Sequence, residues 1–285
     1  MTRPMTPLIQ AEALHDRLAQ GQAPLLLDLR FDLAQPEAGR AAYAAGHLPG
    51  AHYVHLDDCC GPKQAADGRF LGRHPLPTRE AFAARLAALG WVPGRGVVAY
   101  DASGGMFAAR LWWMLHWLGD AEVQVLDGGL PAWTGAGHAL STALPPVLPA
   151  PVPSDLPPPL LDTVDAATLA AQLGRVRLVD ARAPERFRGE VEPLDAQAGH
   201  IPGARNRPFA LNLAADARFK SSEALRAEWA PLLAGHEASV HQCGSGVTAC
   251  HNLLALAVAG LPLGTLYPGS WSEWSSDPRR PIARA

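Results

Sequence analysis

The chain reads as an α/β protein built from two tandem copies of one domain, each a parallel sheet flanked by helices. Three observations predict this. Short apolar runs of strand length alternate with longer helical patterns, the signature of strand–helix–strand units and parallel pairing. An ordered set of motifs occurs twice: Asp-x-Arg at 28–30 and 180–182, Ala-Gly-His-(Leu/Ile)-Pro-Gly-Ala at 45–51 and 198–204, a buried strand, then a glycine-containing loop with a tryptophan at 133 and 274. Gly203 follows Gly50 by 153 residues and Trp274 follows Trp133 by 141, so one unit was duplicated and its loops then changed length. A proline-dense stretch separates the copies.

The elements follow in order. Residues 8–22 open with an apolar approach, strand-like or helical. Leu25-Leu26-Leu27-Asp28-Leu29-Arg30 is a short buried strand ending in Asp-x-Arg. Pro77-Thr78-Arg79-Glu80 begins a helix whose apolar positions Phe82, Leu86 and Leu89 keep helical spacing until Gly90. Val97–Asp101 is a second buried strand, an aromatic-rich helix around Trp112 and Trp113 ends at Gly119, and Val123–Leu126 is a third strand. The second copy repeats the pattern with Leu178–Arg182, with Ala238–Val240 leading to Cys243, and with Leu266–Ser270. Between them, Pro145–Pro153 and Pro157–Pro159 cannot continue a helix or a central strand and favour an extended linker on the surface. The expected division is an N-terminal domain over 1–143, a linker over 144–160 and a C-terminal domain over 161–285.

Composition excludes several classes of function. The 285 residues are 48% hydrophobic, enough for sizeable cores, and the net charge of −3 leaves no basic footprint for nucleic acid. No run approaches a membrane span, and the first ten residues lack the apolar centre of a signal peptide. The four cysteines (Cys59, Cys60, Cys243, Cys250) form neither a disulfide framework nor paired zinc knuckles, which points to a reducing cytoplasm and to no metal or organic cofactor.

The chemistry concentrates at 241–248, His-Gln-Cys-Gly-Ser-Gly-Val-Thr. A cysteine at the carboxyl end of a strand, then a glycine loop, then a helix start, puts a sulfur in front of unpartnered N–H groups. With the helix dipole they favour negative charge there and stabilise a thiolate. Gly244 and Gly246 let the loop curl its amides around one atom. A cysteine phosphatase would need an arginine six residues after the nucleophile; that position is Ala249, and the loop carries no cation. The loop therefore suits a small anion bonded to the cysteine itself, such as a persulfide.

The string CGSGVTAC at 243–250 resembles the active loop of the rhodanese superfamily, in its 3-mercaptopyruvate sulfurtransferase branch, and with both GH(L/I)PGA strings and GSWSEW at 269–274 the resemblance covers nearly the whole chain. It implies two rhodanese-like domains, the first inactive because Asp101 stands where the second has Cys243. It implies that Cys243 takes a sulfane sulfur from a small-molecule donor and passes it to cyanide or a thiol, a small thiol or a thioredoxin-like protein among them. Gly244, Gly246, Val247 and Thr248 would supply backbone N–H groups, Thr248 being also a plausible helix N-cap. Ser245, His74 and Asp57 would assist proton transfer, and Arg186, in Arg-Phe after Asp-x-Arg, would bind the donor carboxylate. The family's second carboxylate arginine falls nine residues beyond the first, where this chain has Asp195; Arg188 is a possible substitute, and Asp195→Arg is expected to improve mercaptopyruvate use. Asp28 and Asp180 are expected to orient loops by accepting N–H bonds, and His47, His200 and His241 to pack. Trp271 and Trp274 could wall the pocket, although Trp133 repeats Trp274, and Cys250 reads as a buried helix residue. Thiosulfate as donor, and a persulfide-binding sensor without turnover, are the alternatives.

Overall fold

The computed structural model describes residues 6–284; part of the stretch examined for a leader, residues 1–5, lies outside them. The chain forms two compact units. One comprises the residues up to Cys59 with Pro77–Leu160 and Ala215–Phe219; the other comprises Cys60–Leu76, Leu161–Ala214 and the residues from Lys220. Two short inserts thus depart from a simple halving of the sequence: 60–76 folds with the second unit and 215–219 with the first.

In chain order the first unit holds β1 (Leu8–Ile9), α1 (Ala11–Ala19), β2 (Leu25–Asp28), α2 (Ala38–Ala45), β3 (His52–Tyr53), α3 (Arg79–Ala88), β4 (Val97–Tyr100), α4 (Ala108–Trp117), β5 (Val123–Leu126) and α5 (Gly129–Gly135). The second holds α6 (Ala166–Gln172), β6 (Arg177–Asp180), α7 (Pro184–Arg188), β7 (Arg205–Asn206), α8 (Ser222–Leu233), β8 (Ser239–Gln242), α9 (Thr248–Ala259), β9 (Thr265–Leu266) and α10 (Ser270–Trp274). The first sheet runs β1-β5-β4-β2-β3 and the second β7-β6-β8-β9, with every pairing parallel. Read from the other edge, the second order matches the first: β9, β8, β6 and β7 take the places of β5, β4, β2 and β3. A parallel bridge from Thr163 to Leu266 takes the place of β1.

The strands are apolar runs because both faces are covered. All four residues of β2, β4 and β5 are buried, as parallel sheets with helices on each side require. The first core joins Ile9, Leu14, Leu26, Val98, Leu126 and Trp133; the second joins Leu169, Leu178, Ile201, Val240, Trp271 and Trp274. Helix α9 is buried along nearly its whole length and ends where Gly260 takes a left-handed φ of 63°. The proline-dense stretch has neither helix nor strand, and it lies on the first unit through Ala150 N–H to Ala87 C=O (2.8 Å) and Leu160 N–H to His116 C=O (2.9 Å). Among the described residues no helix is long and apolar enough to cross a membrane.

The repeated motifs build the same corner twice. Asp28 accepts the Arg30 N–H and holds the Arg30 guanidinium, whose Nη2 also donates to Gly46 C=O; Asp180, Arg182 and Gly199 repeat this bond for bond. His47 stacks on Tyr43 and His200 on Phe187, each pair with ring centroids 3.9 Å apart, and each imidazole bonds the carbonyl of the residue it stacks on. The loop-orienting role expected of both aspartates is present, with a paired arginine added, and both histidines pack.

Candidate active site

Strand β8 lies between β6 and β9 and delivers Cys243 at its carboxyl end. The Cys243 sulfur accepts the Gly246 N–H at 3.1 Å. Cys243 N–H donates to Ser270 Oγ at 3.1 Å, while the carbonyls of Cys243 and Gly244 accept N–H bonds from Trp271 (3.0 Å) and Ser272 (2.9 Å). In a trans peptide the C=O and the following N–H point opposite ways. Tying those carbonyls to the start of α10 therefore turns the Gly244 and Ser245 N–H groups away from α10. Gly246 has φ +80°, and a Cβ there would run into the Pro268 carbonyl, so only glycine fits. Cys243 is 2% exposed, so the sulfur is recessed rather than standing at an open mouth. Thr248 is the first residue of α9 and not its cap. Val247 caps the helix with no side-chain hydrogen bond, so no cap side chain takes an N–H of the first turn. Cys250 lies buried in that turn, its thiol donating to Gly246 C=O at 3.3 Å.

Ser245 Oγ and His74 Nδ1 are hydrogen-bonded at 2.8 Å, and both residues are buried. His74 arrives on the 60–76 insert, which is held to α10. Arg69 pairs with Glu273 at 3.2 Å, Arg73 N–H donates to Ser272 Oγ at 3.1 Å, and Gly72, at φ +103°, packs against the Gly269 carbonyl. Asp57 belongs to the first unit, in a single 3-10 turn over Leu56–Cys59, with its carboxylate 3.8 Å from His55 Nδ1. Cys59, in the same turn, is buried, while Cys60 begins the insert.

Although the loop carries no cation, two guanidinium groups reach it. A methyl group placed on Gly244 would lie 2.9 Å from Arg73 Nη2 and 3.3 Å from Arg186 Nη1. Arg186 was expected there; Arg73 was not, though it adjoins His74 and supplies the second cation that position 195 lacks. Arg188, the suggested substitute, points elsewhere and pairs with Glu190 at 2.7 Å. Asp195 bonds both Arg73 and Arg186, and Glu192 bonds Arg186 at 2.6 Å. Burial raises the Asp195 carboxyl above its usual range, with Arg73 pulling it back.

Several other candidates are packing residues. Trp271 and Trp274 are fully buried, their ring N–H groups donating to Gln197 and Pro281 carbonyls. His241 is sealed in the sheet, and desolvation pushes it down to about 3, far from proton-transfer duty. In the first unit Asp101 occupies the position of Cys243. Its carboxylate accepts the N–H groups of Ser103, Gly105, Phe107 and Ala108 at 2.8–3.0 Å. That loop is an anion cradle filled by its own side chain.

The rhodanese-like domain family matches residues 10–136 and 165–277. The chain is 48% identical over 97% of both sequences to a Pseudomonas aeruginosa protein named "Probable 3-mercaptopyruvate sulfurtransferase". It is 35% identical to the thiosulfate sulfurtransferase of Cricetulus griseus, covering 87% of this chain and 84% of that one. The solved 3-mercaptopyruvate sulfurtransferase from Leishmania major superposes with a TM-score of 0.83 at 30% identity, covering 99% of this chain and 77% of that one.

Proposed function

Since the chain belongs to the rhodanese family and carries its domain twice, we propose that it is a sulfurtransferase moving a sulfane sulfur from 3-mercaptopyruvate, through a persulfide on Cys243, to a thiol or cyanide. One observation carries this reading. The sulfur with its Gly246 N–H, the Ser245–His74 pair and two guanidinium groups all meet on the loop 243–246. A donor with one carboxylate and one thiol has a partner for each end.

The chemistry is two displacements. The Cys243 thiolate attacks the donor sulfur, the donor C–S bond breaks, and its electron pair goes to the adjacent carbon. That carbon, stabilised as an enolate by the neighbouring carbonyl, takes a proton and leaves as pyruvate. An acceptor thiolate then attacks the outer sulfur and restores the Cys243 thiolate. In this reading Arg73 and Arg186 hold the carboxylate by charge-assisted bonds. The Gly246 amide, with those of Gly244, Val247 and Thr248, meets the negative sulfur, and Ser245 with His74 carries the proton. Asp57 is proposed to assist the proton transfer. A thioredoxin-like protein or a small thiol is the acceptor, and a cytoplasm that keeps Cys243 reduced is the setting.

Thiosulfate is the second reading, favoured by the two cations and by the similarity to thiosulfate sulfurtransferase. Intact-protein mass spectrometry after mixing with each donor separates the two. Mercaptopyruvate is expected to add the mass of one sulfur to the wild type and nothing to Cys243→Ser. Loading from thiosulfate but not from mercaptopyruvate at equal concentration reverses the ranking. Loading without turnover on any thiol leaves the sensor reading.

A further inference from the structure

The two arginines at Gly244 are already engaged. Arg73 Nη1 donates to one oxygen of Asp195, and Arg186 Nη2 donates to the other at 3.1 Å. The Asp195 side chain is 2% exposed. One oxygen on each guanidinium is how a ligand carboxylate would bridge the pair. We infer that Asp195 is an internal competitor: its carboxylate occupies the two-arginine clamp at rest, and the donor carboxylate must displace it, so residue 195 sets how strongly an anionic donor binds. The inference rests on the reading of Arg73 and Arg186 as the donor's carboxylate site.

Three further observations support it. Arg186 Nε is buried and has no partner among the described residues, so the guanidinium keeps a donor for a ligand. Asp195 lies in a segment without helix or strand, between Gly189 at φ +81° and Gly199 at φ +123°, so its departure breaks no regular element. The charges alternate along Asp180, Arg182, Glu192, Arg186, Asp195 and Arg73, three of each sign. With Asp195 in place the row is balanced. When Asp195 leaves, one positive charge is uncovered, which matches a monocarboxylate. The displaced carboxylate stays on the neighbouring segment and repels a dianion more than a monoanion, so Asp195 also selects against thiosulfate.

An arginine at 195 would crowd a third cation into this row, so the neutral isostere is the cleaner test. Asp195→Asn is compared with the wild type for binding of pyruvate, a carboxylate with no sulfur to transfer, by calorimetry, and for kcat/KM with both donors. A competitor holding the clamp about nine-tenths of the time costs about tenfold in apparent affinity, so pyruvate is expected to bind about tenfold tighter to the variant. The thiosulfate kcat/KM is expected to rise by a larger factor than that for mercaptopyruvate. Unchanged or weaker pyruvate binding in a folded Asp195→Asn protein overturns the inference, and Asp195→Ser gives the same readout should the amide fail to fold. Arg73→Gln and Arg186→Gln separate the two levels. If neither weakens pyruvate binding, the clamp reading itself is wrong; if both do while Asp195→Asn gains nothing, only the competitor is wrong.

Discussion

His241 shows how a single buried side chain ties stability to pH. It sits one strand position before Gln242, fully buried, with Nε2 on Ser239 Oγ at 3.1 Å. Its folded value of about 3 lies below the unfolded 6.5, so in that window the unfolded chain binds the extra proton. Its contribution is complete above 6.5 and is lost as the pH falls toward 3, at a slope reaching about 1.4 kcal/mol per pH unit. Urea unfolding from pH 7 to pH 4 is expected to show one proton fewer taken up by His241→Gln than by the wild type. Equal uptake would mean that this imidazole is not held neutral. A packing role was legible in the sequence, because the residue ends a short strand-like run; the central place of that strand in the sheet was not.

The strand–loop–helix element carries a second consequence of the duplication. Ser270 stands 141 residues after Gly129, and both are left-handed, at φ 54° and φ 56°. The first copy uses the residue that adopts this conformation freely; the second uses serine, at about 1 kcal/mol or more in strain. What it gains is a hydroxyl that accepts the Cys243 N–H and donates to Tyr267 C=O at 2.9 Å. Ser270→Ala keeps the strain and orphans a buried N–H, costing about 1–3 kcal/mol. Ser270→Gly orphans the same group but relieves the strain. Denaturant midpoints are expected to rank wild type above Ser270→Gly above Ser270→Ala, and both variants to load sulfur more slowly. An alanine variant as stable as the glycine one would show that the backbone is not strained there. The GSWSEW string marked this region in the sequence, but a hydroxyl aimed at the backbone of a residue 27 positions away was not legible.

Across the whole molecule, one fold is used for two ends. In the first unit the cradle binds the Asp101 carboxylate through four N–H groups; in the second the equivalent position bears a sulfur. Asp101→Asn removes the charge those amides were arranged around and turns an NH2 toward donors. It is expected to lower the unfolding midpoint by an amount equal to about 3 kcal/mol or more. A variant as stable as the wild type would mean that the cradle does not need an anion, and the argument from Asp101 to the Cys243 loop would lose its support.

Alternation of apolar runs and helical patterns, the twin Asp-x-Arg and GH(L/I)PGA motifs and the cysteine between strand and helix were all readable along the chain. They are local, or recur in the same order in both copies, and short-range sterics and burial dictate them. Ser245 and its neighbours could be read for the same reason. The folding of 60–76 with the second unit, the arrival of Arg73 beside Arg186 and the seating of Asp195 between them could not be read. Residues 73 and 195 are 122 positions apart, and nothing in either neighbourhood encodes the other. An ion pair of that separation exists only once packing has brought two loops together, so the composition of the anion clamp is a property of the folded chain.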